Sequence, residues 1–368
     1  MQTVPFNDLS RIHNQFIDNS INNFKEIIKN SSFVLNEYIN QFEIDFAKFT
    51  NQKYTISCAN GTDAIELILR ALEIGYGDEV LLPANSFVAT SIAVSRCGAT
   101  PVFVDNDEFY LIDTNDLKKN ISRKTKAIIA VNLYGQMADL KSLSKIAREN
   151  GIFLIEDAAQ SHGAYDGDNK YVGDYSSAAA YSFYPGKNLG AWGDGGAVTT
   201  NNKKLADKIR ALRSYGSEKK YYHKYLGFNS RLQPFQGYVL SQKLKFLNDW
   251  NEDRNEIASI YSDRLSSYKN IILPKVLNGN KHVWHLYVVR VKNRNTIIDQ
   301  GKKNGVEFSI HYPLPIHKQK AYTNHFQSKK LLKNADTYSK NLLSLPIFPK
   351  MKKTEVEKVL QTLINLAK

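Results

Sequence analysis

The stretch Tyr181–Val198, YSFYPGKNLGAWGDGGAV, offers a primary amine in a setting suited to covalent chemistry. Pro185 and Gly186 end the apolar run Ala178–Phe183 and turn the chain, which leaves Lys187 on a loop beside a strand end. Gly190, Gly193, Gly195 and Gly196 follow, and glycine allows close backbone approaches that other residues forbid. An amine held there can form a Schiff base with a carbonyl once it is free of its proton. A solvated surface lysine cannot, so the upstream residues decide between the two.

Three further stretches fall at the ends of apolar runs, where open α/β sheets bind ligands. Asn60-Gly61-Thr62 follows Tyr54–Ser57 and opens a helical segment. Backbone N–H groups and a hydroxyl there can receive a phosphate; an ordinary helix cap by Thr62 or Asp63 is the plainer alternative. Phe87, in Pro83-Ala84-Asn85-Ser86-Phe87, can stack on a flat ring or simply fill the core. Asp157, in Ile155-Glu156-Asp157-Ala158-Ala159-Gln160, ends an apolar strand, where a carboxylate needs a partner. A protonated pyridine nitrogen, a metal ion and a ribose hydroxyl are all candidates.

The elements that must position these residues are legible as a rhythm. Short β-rich runs occur at Tyr54–Ser57, Val80–Leu82, Val102–Val104, Ala127–Val131, Ile152–Ile155, Ala178–Phe183 and Ala197–Thr200. Between the first two, Ile65, Ile68, Leu69 and Leu72 recur at helical spacing, and Leu140, Leu143 and Ala147 do so further on. Apolar strands without alternation, separated by helices, predict an α/β sheet buried on both faces. After about Pro234 the rhythm changes to a long helix over Phe235–Ser266, a two-strand patch around Val283–Val291 and closing helices. The expected division is a large domain, 1–234, and a small α+β domain, 235–368.

An anion cradle, a ring stacker, a buried carboxylate and a loop lysine together are the parts of a pyridoxal phosphate site. In this order the motifs resemble the sugar aminotransferases of the DegT/DnrJ/EryC1/StrS family. The resemblance starts at Pro5-Phe6-Asn7-Asp8-Leu9 and passes through GTDA (Gly61–Ala64), PANSFVAT (Pro83–Thr90) and EDAAQ (Glu156–Gln160). It continues through Ser182–Val198 and GFNSRL (Gly227–Leu232) to HYPLPIH (His311–His317). It implies a type I, aspartate aminotransferase-like fold with a mostly parallel mixed sheet in the large domain. It also implies that Gly61, Thr62 and Ser182 bind the cofactor phosphate, with Asn229 arriving from the second subunit of a homodimer. Phe87 would stack on the pyridine ring, Asp157 would pair with its nitrogen, and Gln160 would bond its phenolic oxygen. Lys187 would carry the Schiff base and serve as general base. One departure is visible at Gln233-Pro234-Phe235-Gln236-Gly237, where the family reads an acidic residue and then QAA; local packing is the property affected.

Other chemistries lack their signatures. Gly193–Gly196 reads GDGG and leads into an apolar run, the wrong spacing and context for a dinucleotide fingerprint. A phosphate-binding P-loop fails because Asn188 follows Lys187. Zinc is not expected, since His282 and His285 would lie on opposite faces of a strand. His162, beside Gln160, is read as a structural histidine. Dehydratase relatives carry histidine in place of the lysine, so Lys187 argues for transamination. A non-catalytic regulator on the same fold is the alternative of another class. The net charge of +13 is spread along the chain among 36 acids without nucleic-acid motifs, so no nucleic-acid partner is expected. No apolar run is long enough to span a bilayer, and the N-terminus lacks a basic-then-apolar leader pattern, so a cytoplasmic protein is expected. Cys58 and Cys97 are read as reduced thiols.

The substrate end rests on the branch the resemblance suggests. Lys219, Tyr222 and neighbouring residues of Gly216–Tyr225 would clamp a nucleotide diphosphate, with Arg231 a candidate for the glutamate carboxylate. Asn229-Ser230-Arg231-Leu232 stands where relatives acting on 4-keto sugars carry N-Y-R-M, and the smaller Ser230 would leave room near the cofactor. With His311, Tyr312 and Tyr184 bonding or protonating the sugar oxygens, the expected reaction moves the amino group of L-glutamate to C-3 of a dTDP-3-keto-6-deoxyhexose. Amination at C-4 of a dTDP- or UDP-linked sugar is the alternative.

Overall fold

The protein is described by a computed structural model over residues 3–323 and 331–367. Seven strands form the main sheet: β1 Tyr54–Cys58, β2 Glu79–Pro83, β3 Thr100–Val104, β4 Thr125–Val131, β5 Phe153–Asp157, β6 Ala178–Ser182 and β7 Gly196–Thr200. Their spatial order is β1-β7-β6-β5-β4-β2-β3. β7 runs antiparallel to both neighbours, β1 and β6, while the other pairs are parallel. The expected mostly parallel, two-faced sheet is the structure found. Apart from Tyr181, β6 and β7 consist of small and β-branched residues that are almost wholly buried, since helices cover both faces.

The helix Glu37–Phe49 shows how the sheet's site end is braced. Asn36 caps it by accepting from Tyr38 N at 3.1 Å, and Ile39, Phe42, Glu43, Phe46 and Ala47 make its buried stripe. The Phe42 and Phe46 rings meet Phe183 edge-on at 5.3 Å each, and Phe46 meets Tyr181 at 4.9 Å. Those two targets flank Ser182 at the end of β6. Glu43 Oε1 also accepts from Arg213 Nη1 (2.6 Å), Ser57 N (2.9 Å) and Ser57 Oγ (2.8 Å), and Arg213 Nη1 donates further to Ser57 O (2.6 Å), which makes a buried, hydrogen-bonded ion pair.

Where the rhythm changed, the outcome differs from expectation in three respects. The long helix is two helices, Pro234–Leu244 and Leu247–Leu265. The first lies on the helix Glu37–Phe49, where Gly237 lets the backbones approach; a Cβ there would stand 3.0 Å from Ile39 Cδ1. The second buries Ile257, Ala258, Tyr261 and Leu265 in a separate apolar cluster with Val4 and Leu363. The two helices meet at the turn Lys245-Phe246, and Leu247 at the start of the second still packs in the large core. Leu240 and Leu244 belong to the large core as well, and so do Val283, Leu286, Val288 and Leu342 further on, so no single point of the chain divides the two clusters.

The expected two-strand patch is a single strand. After a short hairpin, β8 Ser217–Lys219 with β9 Tyr222–His223, the small sheet is β10 Ile271–Ile272, β11 Tyr287–Val291 and β12 Leu342–Leu345, with β11 central. Val283 N and Leu286 N donate instead to the carbonyls of Gly135 and Tyr134, in the loop after β4. Gly135 has φ +118°, and a Cβ on it would stand 2.9 Å from His285 N, so glycine permits this docking. His282 and His285 are therefore not on one strand: His282 stacks on Trp284 at 3.8 Å, while His285 turns toward the sheet's carboxyl end. Among the described residues no helix is long and apolar enough to cross a membrane. Truncating Phe42 to alanine should cost about 3–5 kcal/mol of stability. A denaturant melt is the measurement, and a change under about 1 kcal/mol would show that this aromatic brace does not support β6.

Candidate active site

A cavity of about 650 Å³ opens at the carboxyl ends of β4, β5 and β6. Lys187 reaches it from a tight loop. Lys187 N donates to Tyr184 O (2.8 Å) and Ala191 N to Phe183 O (2.8 Å), which closes the loop on itself. Gly190 is required there, because a Cβ would meet Pro185 O at 2.2 Å. The helix Pro234–Leu244 holds the far side: Lys243 Nζ donates to Gly190 O, and Gln236 brackets Trp192, accepting from its N–H and donating to its carbonyl. The departure from family pattern at Gln233–Gly237 thus keeps a working polar anchor in Gln236.

What exposure Lys187 retains faces the cavity. Desolvation pushes its amine down to about 8, against the opposing pull of the Asp157 carboxylate. Asp157 ends β5 and is buried, accepting from Thr90 Oγ1 at 2.8 Å and Ala159 N at 3.2 Å. Burial pushes its carboxyl up, and those two hydrogen bonds and Lys187 pull it back. Glu156, one residue earlier, faces the other side by strand alternation, where Asn132, Gly173 N and Ser176 take its oxygens. It is a structural carboxylate.

Asn60, not Thr62 or Asp63, caps the helix Gly61–Ala71, its Oδ1 accepting from Asp63 N at 2.9 Å. The carbonyl of Asn60 accepts from Ala64 N, which leaves the Gly61 and Thr62 N–H groups at the cavity. A Cβ on Gly61 would stand 2.7 Å from Ser182 Cβ, so the glycine lets the helix start approach Ser182. That narrow cradle of N–H groups and hydroxyls suits a phosphate. Phe87 is not in the core; it is more than half exposed and meets Tyr312 at 5.8 Å over the cavity. Gln160 accepts from Tyr134 N (2.7 Å) and donates to Tyr312 Oη (3.1 Å). His311 stacks on Phe6 at 5.5 Å, pairs through Nδ1 with Ser344 Oγ at 2.9 Å, and is pushed down to about 4 by burial and Lys187. Tyr184 stands exposed at the mouth. A flat ring with a phosphate at one end and a basic nitrogen at the other fits these surroundings.

Four expected site residues are not brought to the cavity of their own chain. Lys219 and Tyr222 are exposed on the β8–β9 hairpin, the ammonium 5.2 Å from the tyrosine ring. Arg231 bonds Asn229 Oδ1 at 2.9 Å and lies over Tyr215. The segment is tied down beside the end of the helix Lys203–Leu212, through Phe228 N to Leu212 O and Ser230 N to Arg213 O. Ser230 leaves no room for a sugar either: it is fully buried, donating to Asp63 Oδ2 at 2.8 Å and accepting from Ala59 N at 3.2 Å. Conversely, Asn7, Thr90, Asn188 and His285 contribute here without having been assigned a role from sequence. Asn7 and Thr90 sat inside quoted motifs, while His285 had been weighed only as a metal ligand. Among the described residues no His, Cys, Asp and Glu side chains form a metal-holding group.

The fold and this site define a pyridoxal phosphate-dependent aminotransferase of the type I fold. The chain belongs to the DegT/DnrJ/EryC1/StrS aminotransferase family, whose model matches residues 14–364. It is 43% identical over 360 residues to the dTDP-3-amino-3,6-dideoxy-alpha-D-galactopyranose transaminase of Aneurinibacillus thermoaerophilus, covering 97% of this chain and 98% of that one. It is 41% identical over 362 residues to a pleiotropic regulatory protein of Geobacillus stearothermophilus, covering 97% of each. Among solved structures, S. venezuelae DesV in complex with a ketimine intermediate superposes with a TM-score of 0.97 at 36% identity, over 100% of this chain and 99% of that one. The protein is an aminotransferase of nucleotide-linked sugars.

Gly61→Ala should weaken pyridoxal phosphate binding roughly ten- to a hundredfold, the loss of one charge-assisted hydrogen bond of ~1.5–3 kcal/mol. Absorbance titration of the cofactor-free variant measures this, and wild-type affinity would remove the cradle from the phosphate.

Proposed function

We propose that this enzyme moves the amino group of L-glutamate to C-3 of a dTDP-3-keto-6-deoxyhexose. The product is a dTDP-3-amino-3,6-dideoxyhexose for cell-surface polysaccharides such as O-antigen, made in the cytoplasm by a homodimer. The observation that carries the amino-transfer step is the Lys187 amine, held in the same cavity as Asp157 and pushed down to about 8. At pH 7 about a tenth of such an amine is free to take a proton, several-hundredfold more than for an ordinary lysine.

Bound pyridoxal phosphate supplies an aldehyde that accepts the amino group and a ring that spreads the electron pair left when the α-proton departs. Lys187 Nζ, desolvated in the cavity, would be the base that takes that proton and the acid that gives it back. Asp157, aimed by Thr90 Oγ1 and Ala159 N, holds a proton on the ring nitrogen. Gly61, Thr62 and Ser182 would hold the phosphate, with Asn229 from the second subunit, and Phe87 would pack against the ring. Gln160, its amide orientation set by Tyr134 N, offers its N–H₂ toward the ring's phenolic oxygen. His311, Tyr312 and Tyr184 line the sugar side and bond its hydroxyls. Lys219, Tyr222 and Arg231 enter this reading only as contributions across the dimer.

With Ser230 buried, the preference for C-3 draws support from the His311–Tyr312 wall and from the product named for the relative at 43% identity. The test is a panel of dTDP- and UDP-linked 3-keto and 4-keto sugars with glutamate, products identified by NMR. Amination of the dTDP-linked 3-keto sugar is expected, and efficient amination of a 4-keto sugar with none at C-3 overturns the reading. Lys187→Ala should abolish turnover while leaving the protein folded, and near wild-type turnover would exclude Lys187 as the base.

A further inference from the structure

His285 is a cavity residue with its tautomer set by a chain of hydrogen bonds. Asn188 Nδ2 donates to Asn251 Oδ1 and to the carbonyl of Val283, both at 2.8 Å. A carbonyl only accepts, so the Val283 contact fixes which end of the Asn188 amide is nitrogen. Asn251 Nδ2 donates in turn to His162 O at 2.9 Å, consistent with the same orientation. Asn188 Oδ1 therefore faces His285 Nδ1 at 3.0 Å and can only accept. The proton of a neutral His285 sits on Nδ1, and Nε2 is left as a bare lone pair.

That lone pair belongs to a ring lining the cavity that also holds Lys187. Lys187 is the charge that weighs most on the ring, and burial with that charge keeps the imidazole neutral. Lys187 Nζ makes neither a hydrogen bond nor an ion pair among the described residues. When its amine is released and protonated it becomes a desolvated cation with three N–H donors, and such a cation needs an acceptor.

We propose that His285 is a positioning residue for Lys187: its Nε2 accepts a hydrogen bond from the Lys187 ammonium and holds the released side chain ready to deliver its proton. This rests on the amino-transfer chemistry alone and not on the choice of sugar or carbon. The groups facing Lys187 are Asp157, His162, His285 and His311, with Arg254 acting on His285. His162 and His311 are pushed down to about 3 and about 4, and His285 lies well below its usual value. Lys243, which donates to Gly190 O on the same loop, is also pushed down to about 8, so the change must be read at the Lys187 peptide itself.

The sign follows from which form the acceptor favours. An acceptor stabilises the ammonium, so its loss lowers the Lys187 midpoint. Two substitutions separate the ring's two nitrogens. His285→Asn places an amide where Nδ1 was, keeping the Asn188 bond and losing the cavity acceptor. His285→Gln places an amide oxygen where Nε2 was, keeping the acceptor and giving up the Asn188 bond. The experiment is competitive acetylation of the cofactor-free full chain across pH, with the Lys187 peptide quantified by mass spectrometry. Desolvation and Asp157 by themselves set a midpoint of about 8, and the His285 acceptor should hold wild type above it. His285→Asn should titrate about one pH unit below wild type, the shift expected when one hydrogen bond to a cation is lost, and His285→Gln should stay near wild type. An unshifted Asn variant, or a Gln variant shifted as far as Asn, overturns the proposal and leaves His285 as a packing residue held by Asn188. If the Asn variant does not fold, His285→Ala takes its place: a midpoint about one unit below wild type supports the acceptor role, and an unshifted one removes it.

Discussion

A lysine amine and an aspartate carboxylate share one cavity here without being bonded to each other, and most of the structure around them serves that arrangement. Each is costly to take from water, and joining them in an ion pair would satisfy both while disabling both. The structure gives the carboxylate other donors, Thr90 Oγ1 and Ala159 N, which offset part of the upward push of burial. The amine it leaves without a hydrogen bond, so desolvation lowers its proton affinity. Asp157 remains close enough to temper that shift and no closer.

Holding two such groups apart requires a rigid frame on both sides. Asp157 is set by β5, in the middle of a buried sheet, and cannot drift without breaking ladder hydrogen bonds to β4 and β6. Lys187 sits on a loop, which by itself would wander. It is fixed by internal hydrogen bonds, by Gly190 folded against Pro185, and by Gln236 and Lys243 reaching up from the helix below. The aromatic packing of Phe42 and Phe46 on Phe183 ties the same loop to the core from the other direction. The segment Val283–Leu286 completes the enclosure by docking on the loop after β4, and it carries His285 in with it.

Much of the candidate site was legible because its residues stand in short motifs at strand ends. Gly61, Asp157, Ser182 and Lys187 each end or follow a run whose apolar character marks it as a buried strand, and all four line the cavity. Asn188 was legible only as a neighbour, since its task is set by Asn251 and Val283, which are 63 and 95 positions away. Ser230 shows the opposite failure: a small residue beside a site motif suggested space, but its hydroxyl is consumed by Asp63, 167 positions earlier. Lys219, Tyr222 and Arg231 looked like a clamp because of their residue types, yet their segment is pinned beside a helix end and stays outside its own cavity.

The amino-acid sequence by itself determined the seven buried strands, the helices between them and the identity of the amine and the carboxylate. Those depend on local apolar runs, glycines and short-range turns, which act over a few residues. Tertiary structure alone decided how the second half is divided. The helical stretch past Pro234 is interrupted at Lys245-Phe246, and Val283–Leu286 forsakes a strand ladder for the carbonyls of Tyr134 and Gly135. It also decided the protonation of the site, because desolvation and the direction of a hydrogen bond depend on everything packed around a group. No spacing along the chain carries that information.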